Sequence, residues 1–270
     1  MQMKAAAVNR LLNRIGAQVI ARIQAARHLL SVVGCAVGLA LRPSYWPPTT
    51  RNVLARQVYF TGIEAVRFVA LVGLLVGGAV VLQAQVWLTK VGQSALFGPL
   101  LVAVVIREIG PLLTNFIVIG RSGTAIASEL ASMKVNRELR VLESQGLDVF
   151  TYLVLPRVIG VMISVFCLAV IFIVVAFLGG YGTCVLLGVR IGGFGLFAES
   201  VAKAINPRDI LNVLAKTLVP GALTGAICSV EGLSIEGVAT EVPQAAGRAV
   251  VKSVGALFAT SAIVSVLTYL

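Results

Sequence analysis

Apolar residues along this chain gather in long blocks, and polar residues fall mostly in the gaps between them. The blocks lack the strict alternation of strands, which excludes an outer-membrane barrel and predicts helices. Five blocks are long enough to cross a bilayer, whose hydrocarbon core of ~30 Å takes about 20 helical residues. They run from Phe68 to Leu88, Leu96 to Ile119, Val158 to Leu187, Ile210 to Val230 and Val250 to Leu270. The expected fold class is an all-α integral membrane protein with five transmembrane helices.

Shorter patterns precede and separate the blocks. Val8, Leu11, Leu12, Ile15, Val19 and Ile23 fall on one helical face, with Arg10, Asn13, Arg14 and Gln24 mostly elsewhere, which predicts an amphipathic interfacial elbow helix ahead of the spans. Basic residues spread from Lys4 to Arg27 do not match a signal peptide, whose short charged region precedes a compact apolar core. Leu29 to Leu41 is apolar but only about half a membrane long, and it stops at Arg42-Pro43 with Trp46-Pro47-Pro48 beyond. That segment is expected to lie along or dip into one leaflet, the alternative being a sixth, short span. The chain thus divides into an amino-terminal interfacial region, residues 1–63, and a transmembrane domain, residues 64–270.

Between the second and third blocks lies the most polar stretch, Arg121 to Asp148. Gly123, Ala125, Ala127, Ser128 and Ala131 in its first half permit close backbone approach. Its second half predicts a short amphipathic helix capped by Asn136, with Leu139 and Leu142 on one face and Arg137, Glu138, Arg140 and Glu143 around the rest, ended by Gly146. Such a helix is either a docking surface or an ordinary solvated loop helix. Small residues four apart occur at Gly34/Gly38, Gly73/Gly77, Gly188/Gly192 and Gly221/Gly225. Gly179, Gly180 and Gly182 predict a kink or re-entrant end in the long third span, and Pro220-Gly221 a break or bend in the fourth.

Composition changes the picture only in degree: 58% of residues are hydrophobic and 12% charged, and the mean hydropathy is +0.97. The net charge of +11 comes from basic residues that flank spans and are not interleaved with aromatics, so anionic lipid and not nucleic acid is the expected counterpart. A cytoplasmic amino terminus puts most of these cations on one side, leaving only Lys90, Arg190, Lys203 and Arg208 opposite, and satisfies the positive-inside rule. Five spans then place the carboxyl terminus on the far side of the membrane.

Little in the chain suggests enzymatic chemistry. No Gly-Lys dipeptide occurs, so the phosphate-cradling loop of ATPases is absent. His28 lies far in sequence from any carboxylate, and Ser122, Ser128 and Ser132 lack a histidine base. Cys35, Cys167, Cys184 and Cys228 stand singly and are expected to be buried thiols. What remains are ionisable residues inside or at the edge of spans: Arg107 and Glu108, Lys216, Arg248 and Lys252. A charge at a span's centre costs at least ~2.5–3.5 kcal/mol on insertion scales and so needs a partner or a polar cavity. These groups either pair within a helical bundle or bind an anionic headgroup, whose phosphate a guanidinium matches in a fork. Arg107 is the deepest of them.

The run from Arg107 to Gly160 resembles the MlaE/YrbE family of ABC-transporter permeases. The matching elements are Arg107-Glu108 with Gly110-Pro111, Gly120-Arg121 with Gly123, Ala127 and Glu129, Met133-Lys134, Leu142, Gly146 to Asp148, and Leu155-Pro156-Arg157. GRAVVKS, Gly247 to Ser253, is similar to the family's last conserved block, while Glu231 to Ala246 is more acidic than the family's glycine-rich pattern. The resemblance, over about Glu64 to Leu270, implies a homodimer in the bacterial inner membrane with a lipid cavity at the dimer interface. It places Arg107, Glu108 and Arg248 at the lipid site. Asn136, Arg137, Glu138, Leu139, Arg140, Leu142, Glu143 and Gln145 would form a cytoplasmic coupling helix.

Implied partners are a cytoplasmic ABC ATPase carrying ATP and Mg, a periplasmic MCE-domain protein, often a STAS-domain protein, and phospholipid, with no cofactor in this chain. The implied function is lipid exchange between the inner membrane and the MCE protein, maintaining outer-membrane lipid asymmetry. Other readings are an ion-coupled carrier titrating Glu108, and a membrane scaffold.

Overall fold

The computed structural model describes residues 20, 24, 26–42, 46–92, 97–188 and 193–269, which form helices and turns with no strand among them. In chain order the helices are α1 (Ala26–Ala40), α2 (Pro48–Thr61), α3 (Val66–Val91), α4 (Phe97–Val135), α5 (Glu138–Ser144), α6 (Phe150–Leu186), α7 (Phe194–Ala204), α8 (Pro207–Leu233) and α9 (Glu241–Tyr269). Five are long and apolar enough to cross a membrane: α3 with α2 leading into it through a short 3-10 turn, α4, α6, α8 and α9. All five predicted spans are present. At 1.5 Å per residue α1 is about 22 Å long and too short for a sixth. The amphipathic pattern over residues 8–23 lies almost wholly outside the described residues.

Close helix approach is decided by glycine. A Cβ on Gly77 of α3 would lie 2.1 Å from the Ala176 carbonyl oxygen of α6, and one on Gly225 of α8 would lie 2.7 Å from the Val158 Cα of α6. Gly73 and Gly221 repeat the contacts one turn earlier on each helix, against Phe172 and Met162. Lipid tails are as apolar as side chains, so this backbone-to-backbone packing, and not exclusion from water, holds the spans together. Gly34, Gly38 and Gly188 meet nothing within 4 Å, so their spacing carries no packing.

Several expectations need correction. Helix α6 runs unbroken through Gly179 and Gly180, because these glycines accommodate Leu74 and Val81 of α3. The chain turns only after Leu186, and α7 folds back on the end of α6 through Tyr181, whose ring lies 5.2 Å from Phe194 and 5.5 Å from Phe197. Pro220 does not break α8, which continues to Leu233. Helix α4 does not stop at Ile119: the polar stretch after it stays helical to Val135, its Ile126, Ala127, Leu130 and Ala131 being buried. Asn136 consequently flanks the end of α4 and does not cap α5; the turn between them is made by Arg137 at φ 61°. Gly146 ends α5 at φ 76°, with Leu147 N–H donating to Leu142 O, as predicted. Of the four thiols only Cys184 and Cys228 are buried; Cys35 and Cys167 lie on exposed faces of apolar helices.

Before α6, the Asp148 carboxylate accepts from Thr151 N–H at 2.9 Å and from its hydroxyl at 2.6 Å. The hydroxyl bond is the main cause that holds the Asp148 pKa below its ordinary value.

Gly77→Val is expected to force α3 from α6 and destabilise the fold by about 1–3 kcal/mol. Gly38→Ala, which has open space, is expected to leave stability unchanged or slightly raised; thermal unfolding in detergent measures both.

Candidate functional site

Two prolines organise the centre of the molecule. Pro111 in α4 has no N–H to give to the carbonyl of Arg107, and Pro220 in α8 has none for the carbonyl of Lys216, each four residues earlier. Each freed carbonyl is satisfied by the other helix. Lys216 Nζ donates to Arg107 O at 3.0 Å, joined by Asn212 Nδ2 at 3.4 Å. In return Asn115 Nδ2 donates to Lys216 O at 3.1 Å and to Pro111 O at 2.8 Å. Just before Pro111, α4 widens into a π-helical segment, Val102–Ile109, which carries Arg107 and Glu108. Such segments relieve a proline in a helix and often mark functional sites.

Charges close around this exchange. Arg107 Nε lies 2.7 Å from Asp209 Oδ1, and Lys216 Nζ lies 2.5 Å from Glu108 Oε1, which also accepts from Ser265 Oγ of α9 at 3.1 Å. Asp209 is held in place because its Oδ2 accepts from the Asn206 N–H at 2.9 Å, in a capping box that starts α8. Two cations meet two anions, so the cluster is neutral and tolerable within a span. Burial is uneven, however. Asp209 and Lys216 are 1% and 2% exposed, whereas Arg107 and Glu108 remain 26% and 45% exposed. α8 thus supplies buried anchors, and α4 presents the outward pair. Arg107 lines a cavity of about 560 Å³ together with Asn206, Arg208, Asp209 and Thr268.

Arg248 does not join this cluster. It pairs with Glu231 at 3.4 Å beside a closer Lys252–Glu231 contact, at the far end of α8. From Arg248 to Ser265 along α9 is about 25 Å at 1.5 Å per residue. Nearby, Lys134 Nζ donates to Leu233 O at 2.7 Å. Arg121, also within α4, pairs with Glu64 at 2.7 Å and donates to Phe60 O at 3.0 Å, satisfying a carbonyl left where α2 gives way to the 3-10 turn.

On α5 and its flanks, Asn136, Arg137, Glu138, Arg140, Glu143 and Gln145 are exposed, and Leu139 and Leu142 are half-buried against the core that contains Met133 and Tyr152. Val141 adds an apolar side chain, 55% exposed, to the outward face. A short helix fastened by two leucines and otherwise exposed is suited to docking.

Sequence reasoning missed Asp209, Asn115, Asn212 and Ser265. Asp209 was signalled by Asn206-Pro207-x-Asp209, a helix-start pattern whose acidic residue is placed to cap. Pro111 and Pro220 mark the carbonyls of Arg107 and Lys216, each four residues earlier, as needing another donor, but nothing in the spacing names Asn115 or Asn212 as that donor.

The family model for the permease MlaE matches residues 54–267, which include every residue of the central cluster and α5. The chain belongs to the MlaE permease family. A probable ABC transporter permease protein of Rickettsia conorii is 30% identical over 209 residues, 77% of this chain and 79% of that protein. The chloroplast protein trigalactosyldiacylglycerol 1 of Arabidopsis thaliana is 31% identical over 218 residues, 80% and 61% of the two chains. The intermembrane phospholipid transport system permease protein MlaE of Haemophilus influenzae is 28% identical over 202 residues, 74% and 76%. As an MlaE-family permease, this multi-pass membrane protein is a transport subunit rather than an enzyme.

If the carbonyl exchange holds α4 to α8 in this permease, Lys216→Met leaves the Arg107 carbonyl underserved and lowers stability by about 1–3 kcal/mol. Pro111→Ala restores a backbone donor, so the same Lys216→Met change is expected to cost about 1 kcal/mol less in that background. A double-mutant cycle on unfolding in detergent reads the difference.

Proposed function

We propose that the protein is the permease subunit of an ABC phospholipid transporter that passes lipid between the inner membrane and a periplasmic MCE-domain protein, maintaining outer-membrane lipid asymmetry. The observation that carries this reading is the outward Arg107–Glu108 pair, held from behind by buried Asp209 and Lys216 at the edge of a polar cavity. Asp209 fixes the guanidinium on its Nε–Nη2 edge, so a headgroup phosphate meets a cation already oriented, at little further entropic cost. Glu108, paired with Lys216, braces the helix. The functional unit is a homodimer whose lipid cavity lies between protomers, with the amino terminus cytoplasmic and the carboxyl terminus periplasmic. Arg248 acts at the cytoplasmic end of that path, where its pairing with Glu231 ties α9 to α8.

ATP and Mg belong to a cytoplasmic partner ATPase, often accompanied by a STAS-domain protein. Helix α5 with its flanks, from Asn136 to Gln145, is the coupling element on that ATPase. The naming of the Haemophilus influenzae relative as a phospholipid transport permease supports the substrate class.

Arg107→Ala is expected to lower co-purifying phospholipid at least tenfold while subunits still assemble, as read by native mass spectrometry. Arg107→Lys keeps the charge beside Asp209 and removes the fork, so partial loss there separates headgroup recognition from folding. Unchanged lipid in both variants would remove Arg107 from the site, and transport that follows a proton gradient while ignoring ATP would favour an ion-coupled carrier.

Val141→Asp on α5 is expected to abolish lipid-stimulated ATP hydrolysis by the assembled complex without altering bound lipid.

A further inference from the structure

Helix α2 buries polar side chains and leaves apolar ones along a groove. Its residues buried against the protein are polar: Thr50, Gln57 and Thr61, with Gln57 Nε2 donating to the Thr61 hydroxyl at 2.7 Å. Gln57 fits because α6 carries Gly160 there, where a Cβ would fall 2.7 Å from the Gln57 Cγ. Half-buried Leu54 and Val58, with exposed Ala55, Tyr59 and Ile63, line a groove of about 520 Å³. Tyr59 and Ile63 are 55% and 58% exposed. Trp46 closes one end, its ring fixed by Nε1–H donating to Ala40 O at 3.0 Å. Side chains as exposed as Tyr59 and Ile63, in a groove beside Arg51, suit hydrocarbon or another apolar surface better than water.

Charge says which. The chain holds no carboxylate before Glu64, yet Lys4, Arg10, Arg14, Arg22, Arg27, Arg42, Arg51 and Arg56 precede it. Glu64 itself is occupied by Arg121 at 2.7 Å. Arg51 lies on the groove, and neither it nor the exposed Arg56 has a carboxylate partner among the described residues. An uncompensated cation beside an apolar, aromatic-flanked groove matches one amphiphile: phosphate at the cation, acyl chain along the groove.

We infer that the α2 groove binds an anionic phospholipid of the surrounding bilayer, with its phosphate on Arg51 and a chain along Leu54, Val58 and Ile63. The site is separate from the Arg107 cavity, since the two share no lining residue. A lipid there clamps α1 and α2 to the leaflet and fixes the angle at which α3 enters the membrane. Occupancy of the groove does not depend on which lipid, if any, the protein transports.

The test uses the full chain with its co-purifying subunits, in nanodiscs of equal phosphatidylglycerol and phosphatidylethanolamine, extracted and read by native mass spectrometry. The wild type is expected to retain phosphatidylglycerol over phosphatidylethanolamine. Arg51→Gln is expected to lower that retention about fivefold, equivalent to about 1 kcal/mol for one cation at an anionic surface. Ala55→Trp fills the groove with its charge intact and is expected to lower retention of the same lipid, while Arg107→Lys leaves the Arg51-dependent fraction in place. Equal retention of the two lipids by the wild type, retention unchanged in both Arg51→Gln and Ala55→Trp, or density for a protein segment in the groove would each overturn the assignment.

Discussion

The centre of this membrane protein rests on a reciprocal repair. Two helices each contain a proline where an unbroken ladder would be cheapest, and each leaves one carbonyl without its donor. In water that carbonyl would take a solvent molecule; within a span it needs a protein donor. Lys216 and Asn212 serve α4, and Asn115 serves α8. Because each helix completes the other, the register between them is specified to a single residue. Sliding one helix by a turn would orphan both carbonyls and separate Glu108 from Lys216.

That register explains why ionisable residues are tolerated here. Lys216 donates to a backbone carbonyl and to a carboxylate at once, so its buried ammonium is supplied with acceptors. Asp209 is likewise divided between Arg107 and the start of its own helix. Both buried members belong to α8, the span with the largest buried share, 67% against 17% for α9. The exposed members belong to α4, at a place where its hydrogen-bond ladder has already widened. Rigid support behind and partial exposure in front is the arrangement a binding group needs, since a guanidinium that must first be oriented loses affinity to entropy.

Much of the fold was legible in hydropathy alone, because five blocks of sufficient length leave few alternatives in a bilayer. The errors share one cause. Polar and small residues were taken as ends of helices, when in α4 they were places where another helix approaches or where Arg121 finds Glu64 and Phe60 O. Glycines at 179 and 180 were read for flexibility and serve close packing. At the candidate site, Arg107, Glu108 and Lys216 were visible as isolated charges, but their pairing was not. Asp209 lay at a predicted span boundary, and nothing in a one-dimensional pattern states that it accepts from Arg107, more than a hundred positions away. The distance from Arg248 to this cluster was equally hidden, although the length of α9 alone implies it.

The least supported span, α9, is held by polar contacts near its two ends. Glu231 takes Arg248 and Lys252 at one, and Ser265 donates to Glu108 at the other. Between them one stripe, Ser253, Leu257 and Ser261, is buried, while Phe258 and Ile263 are exposed. Inside a bilayer helix packing, not water exclusion, opposes displacement, and α9 packs through this stripe together with Ala249. Moving α9 outward near Ser265 would strip one donor from Glu108 and widen the space beside Thr268, which lines the Arg107 cavity. The same motion leaves Lys216, Asn115 and both proline-freed carbonyls undisturbed. The α4–α8 pair therefore carries the charges, while α9 contributes Ser265 and Thr268 to their surroundings.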